Sequence, residues 1–220
     1  STENRKFNEI QDRSFIVTQS LKTIKGHLKE WALSKDSWHK LNSKKLINLD
    51  DIDNSNSNEE IYYKERWINE NDLSQRLIVS YSPKYAAYQR NVRNNQIDRA
   101  QKLIDNPNTI SKNRQNDPKR FIKSSSVTQD GEIAVKKILS LNQSAIEKEA
   151  MFDGFYAVCT TLEDDISEII KVNKRRWEIE ESFRIMKSDF DAGTVYLSRE
   201  DRIKGHFITC FLSLFIYRYL

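Results

Sequence analysis

Asn173-Lys174-Arg175-Arg176-Trp177-Glu178-Ile179-Glu180-Glu181-Ser182-Phe183-Arg184-Ile185-Met186-Lys187 is the stretch around which this chain is organised. Wound at 100° per residue, Arg176, Glu180 and Lys187 fall within an arc of roughly 40°. Ile179, Phe183, Met186 and Phe190 form a neighbouring apolar stripe, the pattern of a helix with one buried face. One carboxylate between two cations suits a site where an acid holds a metal ion and cations hold phosphates. The same residues also make an ordinary solvated face, where an i,i+4 Arg-Glu pair contributes only about 0.2–0.5 kcal/mol. Arg184 is an alternative partner for Glu180. Lys187, about 10.5 Å further along the axis, is too distant to pair with it. Trp177 beside Arg176 could stack a displaced base, but packing against a neighbouring element is the expectation for it.

The flanking sequence supplies a framework. Ser14-Phe15-Ile16-Val17-Thr18 is β-branched and aromatic, a strand. Leu21–Leu33 has apolar residues at 21, 24, 28, 31 and 32, close to a helical period that Gly26 weakens. Ile61–Ile68 and Arg76–Ser80 read as strands joined by a polar turn. Ser82-Pro83 opens a helix, with Ser as N-cap and Pro at the first helical position. That helix runs to about Ile104 with Tyr85, Tyr88, Val92, Ala100 and Leu103 inward. Its other faces carry Lys84, Arg90, Arg93, Arg99 and Lys102, which read as solvated surface or as a track for DNA phosphates.

Further along, Gln129-Asp130-Gly131 between Arg120–Thr128 and Glu132–Leu141 predicts a hairpin. Ser144-x-x-Glu147 is a capping box that opens a short helix through Phe152. Asp153-Gly154 turns into the strand Phe155–Thr160, where Asp-Gly is explained by backbone geometry. Thr161-x-x-Asp164 and Ser198-x-x-Asp201 cap the helices before and after the central stretch. Asp50–Glu60 and Asp105–Lys119 are polar loops.

A net charge of +4 permits nucleic-acid binding only through a local basic patch. Cys159 and Cys210 each sit inside an apolar run and read as buried small hydrophobes in a reducing compartment. His27, His39 and His206 have no metal-ligand spacing with each other or with cysteine, which argues against zinc and cysteine-nucleophile chemistry. No signal peptide opens the chain. Phe207–Leu220 is 14 residues long with Thr209, Ser213 and Arg218 inside it, short for a bilayer span and read as a buried core helix. Both ends look cut, one lacking an initiator Met and the other falling inside this helix.

Arg, three residues, Glu, six residues, Lys resembles the signature of bacterial insertion-sequence transposases of the DDE type, in the IS-four-like group. Their pattern places a Tyr three residues before the Arg, where this chain has Asn173. Asp153-Gly154-Phe155-Tyr156, Phe183-Arg184-Ile185-Met186-Lys187-Ser188 and Arg202-Ile203-Lys204-Gly205-His206-Phe207 are also similar to that family. The likeness is strong from about Ile146 to Leu220 and recognisable in Ser14–Lys22 and Ile78–Arg93.

The resemblance implies an α/β fold, a ribonuclease-H-like core interrupted by a β-rich insertion domain. It implies core residues 1–21, an insertion at 22–150, and the C-terminal part of the core at 151–220. It assigns Glu180 as the third metal-binding, catalytic carboxylate, and Arg176 and Lys187 as contacts to DNA phosphates near the reacting end. The chemistry is in-line phosphoryl transfer with two Mg²⁺ or Mn²⁺ ions about 3.5–4 Å apart. Both catalytic Asp residues are expected upstream of Ser1, so the metal is expected only in the complete enzyme. Asp12, Asp153, Asp164 and Asp165 are not substitutes for them. Transposon-end DNA, and a homodimer formed on it, are the implied partners. The expected location is the bacterial cytoplasm at the nucleoid, with no membrane. A non-catalytic DNA-binding or dimer-interaction remnant of a decayed element is the alternative, and a nuclease of the same fold a third reading.

Overall fold

Runs of branched and aromatic residues around Tyr62–Ile68 and Leu77–Tyr81 pair as the longest hairpin among the described residues. The computed structural model describes residues 2–10, 13–43, 45–52, 59–70, 72–106, 117–127, 136–193 and 195–219. Its elements in order are α1 (Thr2–Ile10), β1 (Ile16–Thr18), α2 (Gly26–Leu33), β2 (Trp38–Lys40), β3 (Leu46–Ile47), β4 (Tyr62–Glu70), β5 (Leu73–Tyr81) and α3 (Pro83–Asp105). There follow β6 (Ile122–Val127), β7 (Lys136–Leu141), α4 (Gln143–Ala150), β8 (Phe155–Thr160), α5 (Ile166–Lys174), α6 (Arg176–Ser188) and α7 (Glu200–Tyr219). The chain divides into two compact units, Ser1–Leu162 and Glu163–Leu220.

The first unit is mixed α/β and is built on an antiparallel six-stranded sheet of order β1-β8-β5-β4-β2-β3. β4 and β5 pair from Tyr62↔Tyr81 to Glu70↔Leu73, and Asp72 at the turn takes a positive φ of 62°. β8 lies between β5 and β1, so Cys159 faces both Leu77 and Val17. β6 and β7 form a separate antiparallel pair. Leu28 and Ala32 of α2 join Trp38, Leu77, Val79, Ala157 and Cys159 in one core. Burial pushes the Cys159 thiol up to about 11, so it is an inert packing group.

Strands β1, β4, β5 and β8 and helix α3 arise where the residue pattern places them, whereas β2 and β3 are too short to register as runs. Ser82 caps α3 by accepting from the Tyr85 amide, as expected of Ser-Pro. Two other caps are shifted. α4 is capped by Asn142, which accepts from Ala145, and α5 by Asp165, which accepts from Ser167. α4 starts early enough to place the expected cap Ser144 inside its first turn, and the cap of α5 lies four residues after Thr161. The hairpin turn at Gln129-Asp130-Gly131, Asp12, and most of the acidic and Pro/Asn loops lie outside the described residues.

The side chains of α3 depart from expectation. Tyr85, Tyr88 and Val92 are exposed, and the buried positions are Pro83, Ala86, Arg93 and Ala100. Arg93 is therefore not part of a solvated basic track. It donates to both oxygens of Asp153, Nη1 to Oδ1 at 2.5 Å and Nη2 to Oδ2 at 2.6 Å, with both side chains close to one-tenth exposed. Asp153 is thus a structural anchor as well as a turn residue. Gly154 follows at φ +83°, and a Cβ there would stand 2.6 Å from Tyr81 Cε2 and 2.8 Å from Ala86 Cβ. Only glycine fits that position.

Lys64 is a second buried cation, 3% exposed. Its Nζ donates to the carbonyl and the hydroxyl of Ser34, each at 2.8 Å, and lies 4.6 Å from the Trp38 ring centroid and 5.2 Å from that of Trp31. Desolvation pulls its pKa from 10.5 down to about 8. Because the folded value is the lower one, between about pH 8 and 10.5 the unfolded chain holds a proton that the folded chain has released. Stability contributed at Lys64 therefore rises with pH across that window and is flat below it. The unfolding free energy of wild type minus that of Lys64→Met should climb between pH 8 and 10, by a change on the order of 1–3 kcal/mol. A difference that stays flat over that range would contradict the described environment of Lys64.

Candidate functional site

The second unit carries Arg176, Glu180 and Lys187 on one helix. α6 begins at Arg176 because the chain breaks its helical run at Arg175, whose backbone sits at φ −76°, ψ 2°. The quoted stretch is therefore two helices, with Asn173 and Lys174 ending α5. Arg175 folds forward onto Glu178, with Nε to Oε1 at 2.8 Å.

Glu180 is an open carboxylate, its side chain 65% exposed. Arg176 clamps it through Nη2 at 2.9 Å and Nε at 3.2 Å to the same Oε1. Arg184 instead takes Glu181, with Nη2 to Oε1 at 2.7 Å. The Arg175 and Arg184 guanidiniums hold Glu178 and Glu181 below the usual carboxylate range. Lys187 stands exposed in the last turn with no hydrogen bond or ion pair among the described residues. The three residues thus present an anion already neutralised by one cation, with a second cation free on the same arc.

The apolar stripe beside them is not the buried face. Ile179 and Phe183 are each 58% exposed and Trp177 is 61% exposed, whereas Ile185 is buried and Met186 and Phe190 are half-buried. The contact side of α6 runs instead through Ile185 and Ser182. Arg218 of α7 donates there to the Glu178 carbonyl at 2.9 Å and to Ser182 Oγ at 3.0 Å. The sequence marks Arg218 only as a lone cation in an apolar run, and helical periodicity gives no hint of this contact with α6. α7 itself is not a buried core helix. Cys210 is its buried residue, while Ile208, Phe211, Leu212, Phe215 and Tyr219 are exposed on the opposite side. No described helix is long and apolar enough to cross a membrane.

A hard divalent cation takes about six oxygen ligands. Glu180 supplies two oxygens at most, and no group of three or more His, Cys, Asp or Glu among the described residues could hold a metal. The described residues therefore do not by themselves fit a metal centre. What α6 offers on its own is a carboxylate and two cations facing solvent, an arrangement suited to an anionic polymer that brings counter-charge to Arg176 and Lys187. A family model described as Transposase DDE domain matches residues 43–216, a span that includes all three residues. No curated protein and no solved structure matches the chain.

Proposed function

Because this chain belongs to the transposase DDE domain family, we propose that it acts in DNA transposition, with α6 as the element that meets transposon-end DNA. The observation that carries this reading is the Arg176-Glu180-Lys187 arc on an exposed helix, with Lys187 free of protein partners among the described residues. Glu180 is one carboxylate ligand of a Mg²⁺ or Mn²⁺ site whose remaining ligands lie outside the described residues. Arg176 and Lys187 hold phosphates flanking it, and Arg176 exchanges its ion pair with Glu180 for a phosphate when DNA arrives.

The finer assignments follow from the same reading. The chain falls in the IS-four-like group with Asn173 at the family Tyr position. Its ribonuclease-H-like core comprises residues 1–21 and 151–220, interrupted by a β-rich insertion at 22–150. β1 and β8, from the segments on either side of the insertion, pair in one sheet, which continues through β5, β4, β2 and β3 of the insertion itself. Action on DNA places the protein at the bacterial nucleoid, as a homodimer on the element's ends.

The test is salt-dependent binding to end DNA. Arg176→Gln and Lys187→Gln should each weaken duplex binding alike for every sequence, and each should lower the slope of log K against log salt by about 0.9. Unchanged slopes in both variants would remove α6 from the DNA interface.

A further inference from the structure

Helix α3 carries a second feature, in the first unit and separate from α6. Tyr85, Tyr88, Gln89, Val92 and Gln96 follow one another at helical spacing and form one wall of a cleft of about 280 Å³. The other wall is Phe152 with Lys22, Arg120 and Glu149, and the Arg93–Asp153 pair lies among the lining residues. The Tyr85 and Tyr88 rings are 16° from parallel with centroids 6.3 Å apart, and Tyr88 is 62% exposed. Helical residues with this period ordinarily bury their rings, and here the rings stay open to solvent.

The polar groups of the cleft are arranged for an anionic, carbonyl-bearing ring. Asp153 is neutralised by Arg93 and Glu149 by Arg120, which leaves Lys22 as the unmatched charge, its Nζ 5.8 Å from the Phe152 ring centroid. Gln89 accepts from the Gly154 amide at 2.7 Å through Oε1, and Gln96 accepts from Arg120 through Oε1. Both side-chain NH₂ groups have no partner among the described residues and remain donors. Parallel aromatic faces, amide donors and one free cation match the π-face, the ring carbonyls and the phosphate of an unpaired nucleotide. A base inside a duplex cannot present its face to a cleft of this kind.

We propose that the α3 cleft binds an unpaired nucleotide of single-stranded DNA, with the base on Tyr88, its carbonyls on the Gln89 and Gln96 amides, and the phosphate at Lys22. This site is independent of Glu180, and it leans on the DNA reading only for the origin of the strand.

The test uses the whole chain and fluorescence anisotropy with oligo(dT), an abasic oligonucleotide of equal length, and duplex end DNA. Tyr88→Ala removes an exposed ring and should weaken oligo(dT) binding about tenfold while leaving the salt slope unchanged. Lys22→Gln should lower that slope by about 0.7. Abasic oligonucleotide should bind wild type and Tyr88→Ala equally. Neither variant should alter duplex binding, and Arg176→Gln and Lys187→Gln should leave the Tyr88 effect in place. Oligo(dT) binding that is absent, or indifferent to Tyr88→Ala, overturns the cleft assignment even if the duplex slopes still respond to Arg176 and Lys187. A Tyr88→Ala effect that persists on the abasic strand overturns it too.

Discussion

Glu180→Gln, made in the full-length gene product, is expected to abolish DNA strand cleavage while the complex with end DNA survives. The substitution keeps the shape of the side chain and removes its charge, and a neutral amide is a poor ligand for a hard divalent cation. Metal-ion catalysis supplies several kcal/mol, and each ~1.4 kcal/mol is a factor of ten, so the loss should be about 10³-fold or more. Binding should be retained or tightened, because Arg176 loses its competing ion pair at 2.9 Å and is released towards phosphate. Cleavage that persists in Glu180→Gln would move the catalytic role to another residue. Joint loss of cleavage and DNA binding would mean that Glu180 is needed for the interface rather than for the reaction.

The second large effect concerns stability. Asp153→Ala should destabilise the first unit by about 3–5 kcal/mol, the cost of leaving a buried guanidinium without its carboxylate. Arg93 is 8% exposed, and its partner is fixed in place by the turn into β8. Since a domain is stable by only about 5–15 kcal/mol, the urea midpoint should fall far enough to be obvious. The double replacement Arg93→Met with Asp153→Leu should recover at least half of that loss, because no uncompensated charge remains. A single Asp153→Ala variant that melts like wild type would show that the pair is not formed in solution.

These expectations separate what the residue pattern discloses from what it conceals. Local signals translate directly: Ser82-Pro83 starts α3, two apolar runs joined by a polar turn mark β4 and β5, and Asp153-Gly154 makes the turn at positive φ. The arc of Arg176, Glu180 and Lys187 also follows from helical geometry and lies on α6 in the structure. Direction is harder to read, because periodicity says which residues share a face without saying which face meets a partner. For that reason Ile179 and Phe183 look inward on paper and point to solvent, and Arg93 looks solvated and is buried. The break at Arg175 leaves no mark of Gly or Pro, since arginine is an adequate helix former and the interruption is one of backbone geometry. Competition among caps is equally hidden, because Asn142 and Ser144 each carry a suitable oxygen and only the fold decides between them.

Strand β1 finds its sheet partner late. Ile16 pairs with Thr160, and among the described residues the neighbour of β1 in the sheet is β8. On a ribosome adding about 5–20 residues per second, the β4–β5 hairpin is complete and free to close while β8 is still unmade. β1 then waits roughly 7–30 s for its counterpart to be synthesised. During that interval the edge of Phe15, Ile16 and Val17 that β8 will cover stays open, which exposes the nascent chain to chaperone capture or mispairing until β8 emerges.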